Sequence, residues 1–451
     1  MTSNGMSPMT ALASGETSGA AGVRWIVSQI GSRERYAVPR AFHARGHLGH
    51  FFTDIWSGRA VSLAKRLPRG DAFAHRFHAE LPHELVTGFN LFGLHCATRH
   101  LWRGRPKTMA EQYDEYTWIG REFAQRVNGG LSRMKLDPAT WAAFLFSTGA
   151  LETCQFLRER GVPIVVDQLD PAQLDEQMIQ EEIERWPGWE EFPGKIPASY
   201  YDRLIEEWRL ADIVLVNSNW SRSSLLKQGV DAKKIIVVPL CYEPDPHQPA
   251  ATPRAAASTK PLNVLWLGQI VLRKGIPYLF EAAAKLMNAN VRITVAGRVG
   301  ISDKGIRAAP PNVNILGKIT HAEAVRCYSQ ADVFVLPTLS DGFALTQLEA
   351  MSFGVPVITT PNCGDVVTHG RDGYILPPRD SQAMADAIAG LEGNRQLLHE
   401  MSAQAIETVK HPRYSLAGYA DAVEGALAAF RASAGDSNAS SPLSASSTAG
   451  R

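Results

Sequence analysis

No run of 18 or more apolar residues occurs in this chain, so no segment has the length of a membrane-spanning helix. Cysteine is scarce: Cys96, Cys154, Cys241, Cys327 and Cys363 are scattered and form no CxxC pair. They read as reduced, mostly buried thiols, which argues for a cytoplasmic setting. Charge of either sign is not in excess. The net charge of +1 gives no reason to expect nucleic acid. The N-terminal MTSNGMSPMTALASGETSGAAG has neither a basic start nor a continuous apolar core, so it does not read as a secretory signal.

What is present is enough apolar sequence for more than one core. The 451 residues are 45% hydrophobic and 20% charged, which fits two globular domains. The balanced charge hides an asymmetry. Residues 23–135 hold 18 Lys and Arg against nine Asp and Glu, with eight His; residues 167–212 hold 13 acids against four bases. Two solvated surfaces account for this, and so does a basic face turned to an anionic membrane or acceptor.

Residues 1–22 and 433–451 are rich in Ser, Ala and Gly without periodicity and read as disordered. Between them, short Val- and Ile-rich runs alternate with helical patterns. VRWIVS (23–28), GVPIVVDQL (161–169), ADIVLVNS (211–218) and KIIVVPL (234–240) are expected strands. The segment around 139–160 and SNWSRSSLLKQGV (218–230), with Ser218 or Asn219 as N-cap, are expected helices. The stretch 241–261, rich in Pro and Ala, separates this first domain (23–240) from a second (262–412). There LNVLWLG, VRITVAG, VNILG, ADVFVLP, VPVITT and GYILP are strands, with helices between them and over 381–410. A long amphipathic helix follows at 413–432. The fold class is α/β: two doubly wound parallel-sheet (Rossmann-like) domains facing a cleft. Ligands then belong on the loops after strands.

Three loops of the second domain fit that rule. GQIVLRKG (268–275) sets Arg273 and Lys274 between two glycines. They suit a diphosphate or are two solvated bases. AGRVG (296–300) and LGKIT (316–320) place small residues at strand ends, where a flat ring can approach the backbone; such glycines are also ordinary turns. LPTLSDGF leads from a strand into a helix whose first amides lie near Gly342–Leu345, a ready anion site. Asp341 and Glu349, eight apart, can border one cleft and accept hydrogen bonds from sugar or ribose hydroxyls. Alternatively Asp341 is an N-cap and Glu349 a surface residue.

Taken together, DGFALTQLE, AMSFGVPVITT, NCG and GRDGYILPPRD, with GQIVLRKG, AGRVG, LGKIT and ADVFVLPTLSDGF upstream, resemble the nucleotide-sugar domain of the family 4 retaining glycosyltransferases (group 1 type), which have the GT-B fold. The resemblance covers about residues 262–380; the first half matches more loosely. It implies a metal-independent transferase moving a sugar from a UDP- or GDP-sugar to a glycan or lipid-linked acceptor with retention, in cell-envelope or exopolysaccharide synthesis. No cofactor is implied, because the nucleotide sugar is a co-substrate. Lys274, aided by Arg273, would hold the diphosphate, with Gly268 and Gln269 beside it. The amides of Gly342, Phe343, Ala344 and Leu345 would hold the phosphate next to the sugar. Asp341 would bind sugar hydroxyls, Glu349 the ribose, and the backbone of Lys318 and Ile319 the base, with Gly297 and Arg298 alongside. The last long helix would cross back to the first domain. Asp341 stands where relatives usually have Glu, and Gln269 where many have Arg. Where many carry a His in the first domain, this chain offers Asp167 and Gln168.

In the first domain, Gly31 faces the cleft, and Arg33 and Arg35 are placed to meet an anionic acceptor or to start a solvated helix. His43, His47 and His50, spaced by four and three, could form a metal face on a helix, though Gly46 and Gly49 weaken it. HLWRGRPK (100–107) joins Leu and Trp to bases, as a cytosolic loop or as a contact with anionic lipid on the inner face of the membrane. Two other readings stay open: a sugar-nucleotide epimerase of the same fold, and a nucleotide-sugar-binding protein with a decayed site.

Overall fold

The computed structural model describes residues 22–58, 76–190, 192, 194–245, 248 and 250–439. The expectation of disorder over 1–22 falls almost wholly outside these residues. At the other end the last helix, Leu416–Ala439, runs past the expected tail boundary at 433; the remainder of that tail lies outside the described residues.

Two parallel sheets organise the chain. The first holds seven strands in the order β3-β2-β1-β4-β5-β6-β7: β1 Arg24–Gln29, β2 Leu48–Thr53, β3 Val86–Gly88, β4 Trp141–Phe146, β5 Ile164–Gln168, β6 Ile213–Val216 and β7 Ile235–Val237. The second holds six in the order β10-β9-β8-β11-β12-β13: β8 Leu262–Leu267, β9 Val291–Ala296, β10 Val313–Gly317, β11 Val333–Leu336, β12 Val357–Thr359 and β13 Gly373–Ile375. Both are doubly wound. The order reverses between β1 and β4 in one, and between β8 and β11 in the other. The expected fold class is the one observed.

The central strands lie between two layers of helices, which cover most of their side chains. WAAFLF in β4, IVLV in β6 and VFVL in β11 are buried throughout. The expectation of helix around 139–160 is therefore corrected: β4 occupies its first part and only Leu151–Arg158 is helical. The two alanines and the leucine dilute the strand preference of the aromatic residues, and burial between helices decides for strand. The metal face on His43, His47 and His50 also fails. The helix Ala37–Ala44 stops before His47, and His50 lies in β2. His47 Nδ1 meets Glu424 Oε1 at 2.6 Å, and His50 Nε2 meets Thr87 Oγ1 at 2.8 Å.

The chain leaves the first sheet through residues 238–261, in which no described residue is helix or strand. It returns at Pro412–Tyr414, and Leu416–Ala439 packs on the first-domain helix Ala37–Ala44. Arg45 there holds Asp421 at 2.6 Å and Glu424 at 3.0 Å. The two crossings touch: Tyr242 N–H donates to the Tyr414 carbonyl at 2.7 Å.

The acidic stretch is not a solvated surface throughout. Helix Gln173–Arg185, after β5, packs on the second domain's core through Met178 and Ile183. Its Glu182, fully buried, accepts from Tyr278 Oη and Arg379 Nε, each at 2.7 Å. At the cleft, Asn219 donates twice to Asp365 (3.1 and 3.0 Å), and Trp220 Nε1 donates to Ser340 Oγ at 3.1 Å. Gly342 sits so close to the first domain that a Cβ there would lie 2.0 Å from the Leu169 carbonyl oxygen. Only glycine lets the two lobes meet at that point.

Candidate functional site

The C-terminal ends of β8 and β11 flank the second domain's reversal point, and two loops converge on it. After β8, the turn Leu272–Lys274 ends at Gly275 with φ +73°. This presents Arg273 and Lys274 toward the loop after β11. There Lys274 Nζ donates to Asp341 Oδ2. Arg273 Nη1 donates to the Ser340 carbonyl at 2.6 Å and lies 3.6 Å from Asp341 Oδ1. Burial alone would raise the Asp341 pKa; Lys274 and Arg273 outweigh it and hold the carboxyl below its ordinary value. Burial likewise works against the Arg273 charge, but Asp175, Asp341 and Asp170 keep the guanidinium protonated. The Arg273–Asp175 contact, 3.4 Å, comes from the first-domain helix Gln173–Arg185. Asp175 itself is pushed up to about 6 by burial, with Arg273 opposing.

The helix after β11 begins at Leu345, with Ala344 as N-cap, later than the sequence suggested. Asp341 is therefore not its cap. The amides of Asp341 and Ala344 already donate to the carbonyls of Asn362 (2.9 Å) and Cys363 (3.2 Å). Ala344 thus leaves the expected run of anion-binding amides, and Gly342, Phe343 and Leu345 remain of the four.

Two cavities lie at these loops, and the first of them reaches Arg273. One, about 280 Å³, lies between the domains and includes Gln269, Arg273 and Arg298 with Gln112, Tyr113 and Tyr116 from helix Met109–Leu131. The other, about 340 Å³, is lined by Leu345, Glu349, His321 and Tyr328, and by Glu34, Arg35 and Tyr242. Tyr328 Oη donates to Glu349 Oε2 at 2.7 Å. The two acids of DGFALTQLE therefore belong to different places: Asp341 to the cation pair, Glu349 to the second cavity. Lys318 is exposed and Ile319 half-buried; both follow β10, just before the Thr320–Glu323 capping box of helix His321–Gln330. Gly268 and Gly297 are structural neighbours. Gly297, at φ +138°, has no room for a Cβ, which would fall 1.7 Å from the Gly268 carbonyl oxygen.

On the first domain's side, Gln29 Nε2 donates to the carbonyls of Gly31 and Arg33 (3.2 and 3.3 Å), and Gly31 N–H donates to Asp54 Oδ1 at 2.9 Å. These bonds, with Tyr36 buried as an anchor, hold a left-handed turn at Glu34, Arg35 and Tyr36 (φ 44°, 53° and 61°). Such a run of non-glycine residues costs about 1–3 kcal/mol per residue. It aims Glu34 and Arg35 into the second cavity and leaves Arg33 exposed. Asp167, at the end of β5, is 2% exposed, and its Oδ2 has no hydrogen-bond partner. Burial, and then the Glu34 charge, push it up to about 8, against Arg33.

The sequence did not single out Tyr113, Tyr116, Glu34, His321 or Tyr328. The i, i+3 pair in QYDEYTW was a visible signal for the two tyrosines. The left-handed turn had none, since it contains no Gly or Asn.

Comparison with known proteins adds to this geometry. Residues 261–394 match the family model described as glycosyl transferases group 1. The capsular polysaccharide biosynthesis glycosyltransferase CapM of Staphylococcus aureus is 31% identical over 142 residues, covering 29% of this chain and 37% of CapM. The amylovoran biosynthesis glycosyltransferase AmsK of Erwinia amylovora is 25% identical over 209 residues, 42% of this chain and 49% of AmsK. The chain thus spans about half, or less, of the length of these curated relatives. Among solved structures, Anabaena HepE in complex with UDP superposes with a TM-score of 0.58 at 14% identity, over 90% of this chain and all of that one; this is a likeness of fold.

Proposed function

The chain belongs, through its second domain, to the group 1 glycosyl transferases, and from that premise we propose that it transfers a sugar from a nucleoside-diphosphate sugar to a glycan or lipid-linked acceptor in polysaccharide synthesis. The observation that carries this reading is the Lys274–Arg273–Asp341 group at the reversal point of the second sheet. Both cations there face Asp341, and Arg273 also meets Asp175 at 3.4 Å. A diphosphate arriving at Lys274 competes with Asp341 for the ammonium, and the displaced carboxylate is then available to sugar hydroxyls. Lys274, Arg273 and the amides of Gly342, Phe343 and Leu345 stabilise the departing diphosphate without calling on a metal. Glu349 and the adjoining cavity take the ribose, and the backbone of Lys318 and Ile319 borders the base. Transfer with retention of configuration is part of the proposal. The names of CapM and AmsK support a polysaccharide acceptor, and the UDP complex of HepE makes UDP the first nucleotide to test.

The test is a thermal-shift panel of UDP, GDP, ADP and their common sugars without metal. A nucleotide that binds only the folded state raises the melting temperature. A rise with one base supports the reading and selects donors for an acceptor screen, in which the anomeric proton of the product reports retention. No rise with any of them overturns it. Binding without transfer in the screen favours a nucleotide-sugar-binding protein.

A further inference from the structure

One surface of the first domain is unlike the rest. Helix Asn90–Thr98 buries Phe92 but turns Leu91 (86% exposed) and Leu94 (47%) outward. The next short helix, His100–Arg103, does the same with Leu101 (68%) and Trp102 (84%). Four large apolar side chains within 12 residues of sequence form a protruding edge. Lone exposed apolar residues need no explanation, but a cluster does. Cations surround this edge. From Leu85 to Ala110 the chain has no Asp or Glu, while Arg99, Arg103, Arg105 and Lys107 fall inside it. Arg99 is committed, stacking 3.7 Å over Trp118 and meeting Glu115 at 3.7 Å. Arg103, Arg105 and Lys107 are exposed, and among the described residues no carboxylate forms an ion pair with their charged ends, although Glu111 Oε2 accepts from the Lys107 backbone N–H at 2.6 Å and lines the same pocket.

We propose that this edge docks the protein on an anionic lipid bilayer. Leucines and a tryptophan at protruding positions suit the interfacial zone, where an indole is favoured. The three unpaired cations suit acidic headgroups. A protein partner fits less well, because four apolar side chains on two short helices offer little concave shape to recognise. The position adds a consequence. The first turns of helix Met109–Leu131 carry Met109, Gln112 and Tyr113 on the interdomain cavity and Glu111, Asp114 and Glu115 on the pocket beside Arg103. Docking therefore holds a mouth of the cleft against the membrane. The inference concerns a surface outside the donor site and stands or falls without the transferase reading. No helix among the described residues crosses a membrane, so the contact is peripheral.

The experiment sediments the full chain with vesicles of phosphatidylglycerol and phosphatidylcholine, and with phosphatidylcholine alone. The expected result is pelleting with the anionic vesicles and its loss at high salt. The triple variant Leu91→Ser, Leu101→Ser, Trp102→Ser should stay in the supernatant at any salt. Arg103→Glu, Arg105→Glu and Lys107→Glu should each cut the partition coefficient about fivefold or more. Both sets are at the surface, and the melting temperature and nucleotide-induced shift of each should match the parent, which separates lost docking from lost folding or lost donor binding. A full chain that ignores anionic vesicles overturns the proposal. So does one in which Trp102→Ser instead dissociates a dimer or releases a bound protein.

Discussion

The two sheets share one winding and use it differently. At the reversal of the second sheet, charges lie near the cleft and pair with each other: Lys274 and Arg273 against Asp341. In the first sheet, one strand over from the reversal, the acid at the end of β5 is buried, with Asp167 Oδ2 unpartnered and the charge of Glu34, on a left-handed turn, opposing its ionisation. In the proposed reading the first arrangement exchanges one anion for another. The second resists ionisation. The same topology thus supplies a place, and the loop chemistry decides whether that place binds charge or excludes it.

The contact that joins the two halves should be the most costly to remove. Glu182→Ala leaves Arg379 and Tyr278 without their buried acceptor and should lower stability by about 3–5 kcal/mol. If calorimetry then shows two transitions instead of one, the domains melt separately, and the comparison becomes one of independent bodies. Lys274→Ala should reduce transfer about 100-fold and weaken nucleotide affinity in titration calorimetry, with little change in far-ultraviolet dichroism. Unchanged affinity would remove Lys274 from the donor site. Gly342→Ala should cost about 1–3 kcal/mol by overpacking against Leu169, and small-angle scattering should show a more open particle.

Asp167→Asn should have an effect visible mainly in pH, smallest at acid pH. The Asp167 carboxyl titrates near 8 in the folded chain, above its ordinary value near about 4. Between those values the folded state binds more protons than the unfolded one, so stability falls as pH rises. The limiting slope is about 1.4 kcal/mol per pH unit. The variant should lose part of this slope between about pH 5 and pH 8 while keeping nucleotide affinity. If its affinity falls as far as that of Lys274→Ala, the contrast between the two sites is wrong.

How much of this was legible in sequence follows the same division. In the second domain each loop leaves its strand directly, so GQIVLRKG and LPTLSDGF announced which residues would stand at strand ends. Their partners were not legible. Lys274 and Asp341 lie 67 residues apart, and the Ala344 amide is taken by Cys363, which no helix pattern foretells. In the first domain, long excursions separate β2, β3 and β4, which hides the period of the sheet. β3 has only three residues, and β4 reads as Trp-Ala-Ala-Phe-Leu-Phe, apolar throughout, with no alternation to tell strand from buried helix. The acid-rich helix after β5 looked like a solvated face because charge count says nothing about which cations wait across a cleft. Arg273 and Arg379 did.

The adjacent crossings at Tyr242 and Tyr414 have a mechanical meaning. Two bodies strapped together at neighbouring points have one easy pivot, and it passes through the straps. A few degrees of turn there would barely disturb the strap itself, whereas the Glu182 contacts with Tyr278 and Arg379 join the lobes directly. If the lobes part to admit a donor, the paired crossings are the natural hinge and the Glu182 contacts a latch that must be released first.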